Sequence, residues 1–227
     1  EELTSRERRA IGERTRLVET TQVASEFFQA ALYDDIGQVA RDYLKQRGFG
    51  ADDARRFELG FAPNEWDAMS LAMVRKGVPA EDLIAVGVSV RNDRGGLRDR
   101  FRGRLIFPVH DPSGDVIGFG GRILDALDYG DFEPPKYLNS PETTLYKKAR
   151  VLYGVPHARA EIVRAEQVLI CEGYTDVMAL HQAGFANAVA TCGTAVGAEH
   201  LRMVSRYTDQ IVLAFDGDEA GVKAAER

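Results

Sequence analysis

The chain of 227 residues can bury a sizeable core and suits one large or two modest domains. Its hydrophobic content of 44% and charged content of 28% are ordinary for a soluble globular protein, and no apolar run approaches the roughly 20 residues of a membrane-spanning helix. Two cysteines are too few for a disulfide framework or a four-ligand zinc site within this sequence, which favours a reducing cytoplasm.

The first part of the chain has helical periodicity. Thr4 and Ser5 followed by Glu7 are typical of a helix N-cap, and Gly48, Gly77 and Gly87 are placed as helix stops. The pattern predicts helices over residues 3–31, 37–47, 51–57, 66–76 and 80–86, with a turn over 59–63.

A basic segment follows in a chain whose net charge is −6. Residues 91–104 hold six arginines and two aspartates, so the overall charge hides a local excess of positive charge. On an extended backbone, Arg98, Arg100, Arg102 and Arg104 would point to one side. A sheet edge protected by charge is the alternative, but four arginines on one face would repel each other without anions, which favours phosphate binding.

The next segment predicts a β-hairpin over 102–121, with a turn at Asp111-Pro112-Ser113-Gly114. Residues 125–145 are predicted to form an irregular loop with an ordered part over 135–140, and a short helix is predicted over 156–165. Cationic, aromatic and amide side chains that suit a single nucleic-acid strand lie after the hairpin and in the loop: Arg122, Lys136, Tyr137 and Asn139.

From residue 167 onward strands alternate with helices. Strands are predicted over 167–172, 187–192 and 210–216, and helices over 175–184 and 197–207. This spacing is typical of parallel βαβ units in a Rossmann-like sheet. Residues 219–227 begin another helix, and such a sheet usually has a further strand, so we expect it to be incomplete at its C-terminal end.

Acidic residues end two of these strands. Glu172 follows an apolar strand, and Asp216 and Asp218 follow another with Gly217 between them. Because a right-handed βαβ path brings both strand ends to one edge, the three carboxylates are predicted to lie together and to bind a Mg²⁺-type cation. A turn with a helix N-cap would explain the two aspartates alone, but it does not explain Glu172.

These residues resemble a known family. Residues 172–176 (EGYTD) and 216–218 (DGD) are similar to the two signatures of the Toprim fold, which primases, topoisomerases, some nucleases and recombination proteins share. Further blocks resemble, in order, the catalytic core of bacterial DnaG-type DNA primases: 43–48 (YLKQRG), 59–63 (LGFAP) with Trp66-Asp67, 99–102 (DRFR) with Phe107-Pro108, 116–122 (VIGFGGR) and 135–143 (PKYLNSPET).

The resemblance implies an α/β fold with an N-terminal α+β subdomain over 1–165 and a Toprim subdomain over 166–227. It implies an enzyme, a nucleotidyltransferase that synthesises short RNA primers from ribonucleoside triphosphates on single-stranded DNA. Glu172 would be the acidic residue at the reaction centre, and Asp216 and Asp218 would hold Mg²⁺ or Mn²⁺. Nucleotide or template binding is implied for Arg47, Arg100, Arg102, Arg122, Lys136, Tyr137 and Asn139.

The same resemblance implies a location in the bacterial cytoplasm at replication forks. Primases of this type also have an N-terminal zinc-binding domain and a C-terminal domain that binds the replicative helicase, and we expect both outside this sequence. Two alternatives stay open at this stage. One is another Toprim enzyme, such as a topoisomerase or nuclease, and the other is a Toprim module that binds DNA without catalysis.

Overall fold

The computed structural model describes residues 4–130 and 133–215. The chain divides into two compact units, Glu1–Pro108 with Asp115–Tyr146, and Val109–Gly114 with Lys147–Arg227. Helices are mixed with antiparallel and parallel sheets, which confirms the predicted α/β class. Within the described ranges, every helix is too short or too polar to cross a membrane.

The helices of the first unit match the predicted ones. They are α1 (Ser5–Tyr33), α2 (Gln38–Gln46), α3 (Ala51–Arg56), α4 (Ala68–Arg75) and α5 (Ala80–Ala85). The start of α1 is a capping box, because the Thr4 hydroxyl accepts from the Glu7 amide at 3.2 Å and the Glu7 carboxylate accepts from the Thr4 amide at 2.7 Å.

The first unit has the strands β1 (Gly60–Ala62), β2 (Ser89–Arg91), β3 (Leu97–Asp99), β4 (Arg104–His110), β5 (Val116–Ile123) and β6 (Tyr137–Asn139). Three of these strands, β1, β2 and β3, were not predicted from the sequence. The turn predicted over 59–63 is wrong, because β1 pairs antiparallel with β4 and Phe61 lies opposite Leu105. The β2–β3 hairpin was not predicted, and Val90 lies opposite Arg98 in it.

Strands β4 and β5 are neighbours and form the predicted hairpin, in a sheet of order β1-β4-β5-β6. The ordered part that was predicted over 135–140 contains β6, which pairs with β5 so that Leu138 lies opposite Gly121. This pairing fixes the backbone beside two of the predicted binding residues, Arg122 and Tyr137.

An aromatic core joins α1 to this sheet. The rings of Phe28, Phe101 and Phe119 meet edge to face, with centroid separations of 5.4 to 6.4 Å. Gly60 allows α1 to approach β1, because a Cβ at this position would lie 2.5 Å from the Phe28 Cβ. Through Phe101, this core fixes the segment between β3 and β4, which carries Arg100 and Arg102.

The second unit contains a parallel sheet of order β8-β7-β9. Its regular elements are α6 (Val155–Ala165), β7 (Val168–Cys171), α7 (Tyr174–Gln182), β8 (Ala188–Ala190), α8 (Ala198–Val204) and β9 (Ile211–Leu213). Each predicted strand and helix of this region is present, with shorter strands. The helix predicted to begin at 219 lies outside the described residues.

Strand β7 lies at the centre of this parallel sheet. Its Cys171 is in register with Ala190 of β8, and its Ile170 is in register with Leu213 of β9. Side chains of β7 such as Val168 and Ile170 are fully buried against the helices. The residue that follows β7 thus emerges at the middle of the carboxyl edge of the sheet.

Candidate functional site

The arginines of the basic segment do not form one stripe. Strand β3 ends at Asp99 and β4 begins at Arg104, and between them the backbone turns through Gly103, whose φ is 61°. The four arginines therefore do not lie on one continuous strand, and the predicted two-residue alternation of their side chains does not apply. Arg104 is buried, so the prediction that all four arginines share one exposed face is wrong.

Arg104 connects two segments that carry predicted binding residues. Its guanidinium donates from Nη1 to the Gly121 carbonyl and from Nη2 to the Pro135 carbonyl, each at 3.0 Å. Those carbonyls belong to the residues immediately before Arg122 and Lys136. Burial lowers the pKa of Arg104, and the nearby Tyr129 opposes this shift. Arg104 is therefore placed to position the binding residues.

An arginine–tyrosine cluster consists of Tyr43, Arg47, Arg122 and Tyr137. The Arg122 guanidinium carbon lies 5.0 Å from the Tyr43 ring centroid and 5.3 Å from that of Tyr137, and its Nη1 donates to the Tyr137 hydroxyl at 2.9 Å. Arg47, at the end of α2, lies 5.4 Å from the Tyr43 centroid. The structure thus brings three predicted residues, Arg47, Arg122 and Tyr137, into one cluster with Tyr43, which was not selected.

This cluster has buried polar atoms without partners among the described residues. They are Nε of Arg122 and the hydroxyl oxygen of Tyr43. Burial raises the pKa of Tyr43, and the positive charges of Arg122 and Arg47 partly offset the effect. Because an unsatisfied buried donor is costly, the cluster is suited to gaining hydrogen bonds from an anionic ligand.

The predicted binding cations differ from other arginines in their ion pairing. Within residues 4–130 and 133–215, no carboxylate forms an ion pair with any member of the set Arg47, Arg100, Arg102, Arg122 and Lys136. Arginines elsewhere, such as Arg14, Arg55 and Arg164, do have carboxylate partners. The predicted cations are therefore available to phosphate.

Arg100 and Arg102 have different surroundings. Arg100 is partly buried, its Nε has no partner among the described residues, and burial lowers the pKa of its guanidinium. The Arg102 guanidinium carbon lies 3.8 Å from the ring centroid of Trp66, an exposed side chain that was not selected as a site residue.

Lys136 and Asn139 flank Tyr137 on the segment that contains β6. Lys136 is exposed and lines an open cavity of about 540 Å³, whose charged lining also includes Asp125, Asp128 and Glu133. Asn139 is half-buried and lies opposite Gly120 of β5. All seven predicted nucleotide- or DNA-binding residues thus belong to the first unit.

Glu172 belongs to the second unit and directly follows β7. It is half-buried, and its carbonyl accepts from the Cys192 amide at 3.0 Å. Asp176, in the first turn of α7, lies over Gly173, where a Cβ would come within 2.9 Å of the Asp176 Oδ2. Burial, with the charges of Asp176 and Glu172, raises the pKa of the Cys171 thiol to about 12, so this thiol is neutral at pH 7.

Asp216 and Asp218 lie outside the described residues. The described part of the sheet ends two residues before Asp216, where the Ala214 amide donates to the Ile170 carbonyl at 2.8 Å. Among the described residues, no group of three or more His, Cys, Asp and Glu side chains could hold a metal ion. The joint site of Glu172, Asp216 and Asp218 therefore stays a prediction.

Sequence reasoning missed Tyr43 and Trp66 as parts of the site, and it placed Arg104 in the phosphate-binding stripe instead of a buried positioning role. Tyr43 and Trp66 lie within motifs that the sequence itself shares with primases, and their ring contacts with arginine appear only in the fold. The burial of Arg104 depends on the turn at Gly103, for which the adjacent Arg-Gly-Arg sequence was the available signal.

Comparisons with known proteins agree with the resemblance. The family described as "DNA primase catalytic core, N-terminal domain" matches residues 27–159, and the Toprim domain family matches residues 166–227. The DNA primase of Mycobacterium tuberculosis is 44% identical over 224 residues, covering 94% of this chain and 34% of its own length. The chain thus spans about a third of the length of the curated relatives that it matches.

Solved structures give the same result. The RNA polymerase domain of Mycobacterium tuberculosis primase DnaG superposes with a TM-score of 0.86 at 43% identity, covering 94% of this chain and 70% of that one. A DnaG primase catalytic domain bound to single-stranded DNA has a TM-score of 0.83 at 39% identity, covering 95% of this chain and 66% of that one. These relatives do not favour the topoisomerase, nuclease or binding-module alternatives.

Proposed function

Because the chain belongs to the DNA primase catalytic core family, we propose that it forms part of a DNA-directed RNA polymerase that makes short RNA primers on single-stranded DNA. The activity is nucleotidyl transfer from ribonucleoside triphosphates. The observation that carries the proposal is a set of cations in one unit that have no carboxylate partner among the described residues, Arg47, Arg100, Arg102, Arg122 and Lys136, two of which, Arg47 and Arg122, lie against tyrosine rings.

These cations suit a polyanionic substrate. Guanidinium groups bind phosphate oxygens with two parallel hydrogen bonds, and aromatic rings stack on bases without regard to sequence. Arg122 and Arg47 hold their guanidinium groups against tyrosine rings, so less side-chain entropy is lost when a phosphate binds. In this proposal Arg47, Arg100, Arg102, Arg122, Lys136, Tyr137 and Asn139 bind the triphosphate and the template backbone.

We further propose that Glu172, Asp216 and Asp218 hold Mg²⁺ or Mn²⁺. Carboxylate oxygens are the ligands that these hard cations prefer. The fit rests on the parallel register of β7 and β9, which extends to the Ala214–Ile170 hydrogen bond just before Asp216. A bound cation would lower the pKa of the attacking hydroxyl and neutralise charge on the triphosphate.

In the proposed reaction the 3′-hydroxyl oxygen of the growing primer attacks the α-phosphorus of the incoming triphosphate. A new O–P bond forms, and the bond to the β-phosphate oxygen breaks and releases pyrophosphate. The hydroxyl proton passes to the Glu172 carboxylate, which acts as general base. The arginine and lysine side chains stabilise the negative charge on the transferring group and on the pyrophosphate.

We propose a first subdomain over 1–165 and a Toprim subdomain over 166–227, acting in the bacterial cytoplasm at replication forks. The replicative helicase would bind a C-terminal domain beyond this chain, and zinc would bind an N-terminal domain.

The test is a primer-synthesis assay on the full-length protein. Single-stranded DNA, labelled ribonucleotides and Mg²⁺ or Mn²⁺ should give short RNA products, and a chelator should abolish them. A protein that binds the template but never incorporates ribonucleotides with either cation would refute the polymerase proposal. Relaxation or nicking of supercoiled DNA would instead assign a topoisomerase or nuclease activity.

A further inference from the structure

The first three turns of α1 extend beyond the core of the first unit. Residues 4–16, which we call the α1 arm, are all exposed, and the buried stripe of the helix begins only at Leu17. The positions that would continue this stripe toward the N-terminus hold Glu13, Ala10 and Arg6. Because most helices gain their stability from packing an apolar face, an arm without such a face needs another source of support.

Local interactions support the arm at both of its ends. A capping box closes its first turn. At its base, Arg14 Nη1 lies 3.1 Å from the Asp115 carboxylate, and Arg16 Nε lies 3.1 Å from the carboxylate of the buried Asp82. The arm is therefore a supported extension of α1 that leaves its other side chains open to solvent.

The α1 arm is strongly basic. It holds five arginines and two glutamates, in a chain whose net charge is −6. Arg6 and Arg9, which lie one turn apart, have no carboxylate partner in the described part of the chain. Lysine would keep a helix hydrated equally well, whereas the guanidinium group matches phosphate oxygens with two parallel hydrogen bonds. The exclusive use of arginine therefore favours a ligand that carries phosphate.

The arm lies far along α1 from the binding residues of the proposed function. Phe28 meets Phe101, the residue next to Arg100, with ring centroids 6.4 Å apart. At the rise of an α-helix, Arg9 lies about 28 Å from Phe28 along the axis, and Arg6 lies about 33 Å from it. At about 3.4 Å for each nucleotide of a stacked strand, about eight to ten nucleotides would cover this distance.

We propose that the α1 arm binds the phosphate backbone of the template strand through Arg6 and Arg9. The inference rests on the proposed function and adds to it a second contact surface, separate from the residues that were selected from the sequence. Contacts to phosphate hold a strand without reading its sequence. Because both surfaces would bind one strand, the arm would increase the affinity for long templates and would not act on short ones.

The test measures affinity as a function of template length. The full-length protein is titrated with fluorescein-labelled oligothymidylates of about six and about 30 nucleotides, which as stacked strands span about 20 and about 100 Å. The double variant Arg6→Gln/Arg9→Gln should bind the long strand about tenfold more weakly. Its slope of log affinity against log salt should fall by about 1.4, the value for two phosphate contacts on a single strand. Affinity for the short strand should be unchanged.

Two control variants separate phosphate contact from effects of the fold and of net charge. Arg6→Lys/Arg9→Lys keeps both charges and should retain most of the affinity for the long strand, and α1 should persist because arginine, lysine and glutamine have similar helix propensities. Arg55→Gln/Arg164→Gln lowers the net charge by the same amount but removes two arginines that have carboxylate partners. This variant should bind both strands like the wild type.

The outcomes separate this inference from the proposed function. If Arg6→Gln/Arg9→Gln binds the long strand like the wild type, the arm does not contact the template, and the proposed function stands. An equal loss for both lengths, or the same loss in Arg55→Gln/Arg164→Gln, would also overturn the arm contact. If the wild type binds neither strand, both the arm contact and the proposed function are overturned.

Discussion

Arg104 is buried, and its guanidinium donates to two main-chain carbonyls. A buried charge is tolerated when several hydrogen bonds compensate for lost hydration. Here those bonds connect β4 to the backbone beside Arg122 and Lys136. Arg104 therefore positions the backbone that carries the binding residues, and it can do so without contacting a ligand.

Replacing Arg104 tests this positioning role. Lysine keeps the charge but reaches at most one of the two carbonyls, so Arg104→Lys should lower the free energy of unfolding by about 2 kcal/mol. Urea unfolding measures this change, and oligonucleotide affinity should fall as well because Arg122 and Lys136 lose their fixed backbone.

The control for Arg104 is Arg55→Lys on α3, where an exposed arginine pairs with Asp52. This variant should have the stability and affinity of the wild type. If Arg104→Lys loses stability but keeps full affinity at a temperature where it is folded, Arg104 supports the fold alone and does not position the binding residues.

Glu172 provides the second prediction at the scale of one residue. Glu172→Gln in the full-length protein should abolish primer synthesis and leave oligonucleotide affinity unchanged, because the proposed role of the carboxylate is to accept a proton and to bind the cation. Glutamine has nearly the same volume, so the sheet should stay intact.

The matched control is Glu161→Gln, which removes a half-buried carboxylate of α6 that pairs with Arg164. It should synthesise primers at the wild-type rate. Near-normal synthesis by Glu172→Gln would remove this residue from the reaction centre, and equal losses in both variants would indicate an effect of net charge.

At the scale of elements, the fold depends on a close contact between α1 and β1. A Cβ on Gly60 would come within 2.5 Å of the Phe28 Cβ and 2.8 Å of the Phe28 backbone carbon. Gly60→Ala should therefore destabilise the protein by about 1–3 kcal/mol through overpacking. The midpoint of chemical unfolding measures this loss.

Gly12 on the same helix offers a control with the opposite expected sign. A Cβ there meets nothing within 4 Å, so Gly12→Ala should stabilise α1 by about 0.5–1 kcal/mol through helix propensity. If Gly60→Ala were also neutral or stabilising, the α1–β1 contact would be more adaptable than its geometry indicates.

Local signals predicted the helices and the βαβ units. Caps and 3.6-residue periodicity identified α1 to α5, and apolar runs at regular spacing identified β7 to β9. Strand β1 was missed because a three-residue strand that ends before Pro63 has the composition of a turn. The β2–β3 hairpin was missed although Asn92 marks its turn by accepting from the amides of Arg94 and Gly96.

The candidate site was predicted in part for a similar reason. The identity of a cation is visible in the sequence, but its burial depends on which segments meet in the fold. In the sequence Arg104 is equivalent to Arg102, but the turn at Gly103 places Arg104 in a buried environment. Similarly, Tyr43 and Tyr137 are 94 positions apart, and only the paired strands and α2 bring both rings to Arg122.

At the scale of the whole molecule, a net charge of −6 would oppose binding to DNA if charge acted globally. Salt screens the interaction between exposed charges beyond about 10 Å at 0.1 M, so we expect the local set of arginines that have no carboxylate partner among the described residues to decide the interaction. Two variants that lower the net charge by the same amount can distinguish binding controlled by net charge from binding controlled by local arginines. Arg102→Gln removes a cation that has no carboxylate partner in the described part of the chain, and Arg55→Gln removes one that is paired with Asp52.

The measurement is oligonucleotide affinity as a function of salt. Arg102→Gln should weaken binding and reduce the slope of log affinity against log salt by about 0.7, the value for one phosphate contact on a single strand. Arg55→Gln should change neither quantity. If both variants lose the same affinity with unchanged slopes, binding follows net charge, and Arg102 does not contact phosphate. A reduced slope in Arg102→Gln alone would locate the electrostatic contact at the surface that Trp66 and Arg102 share.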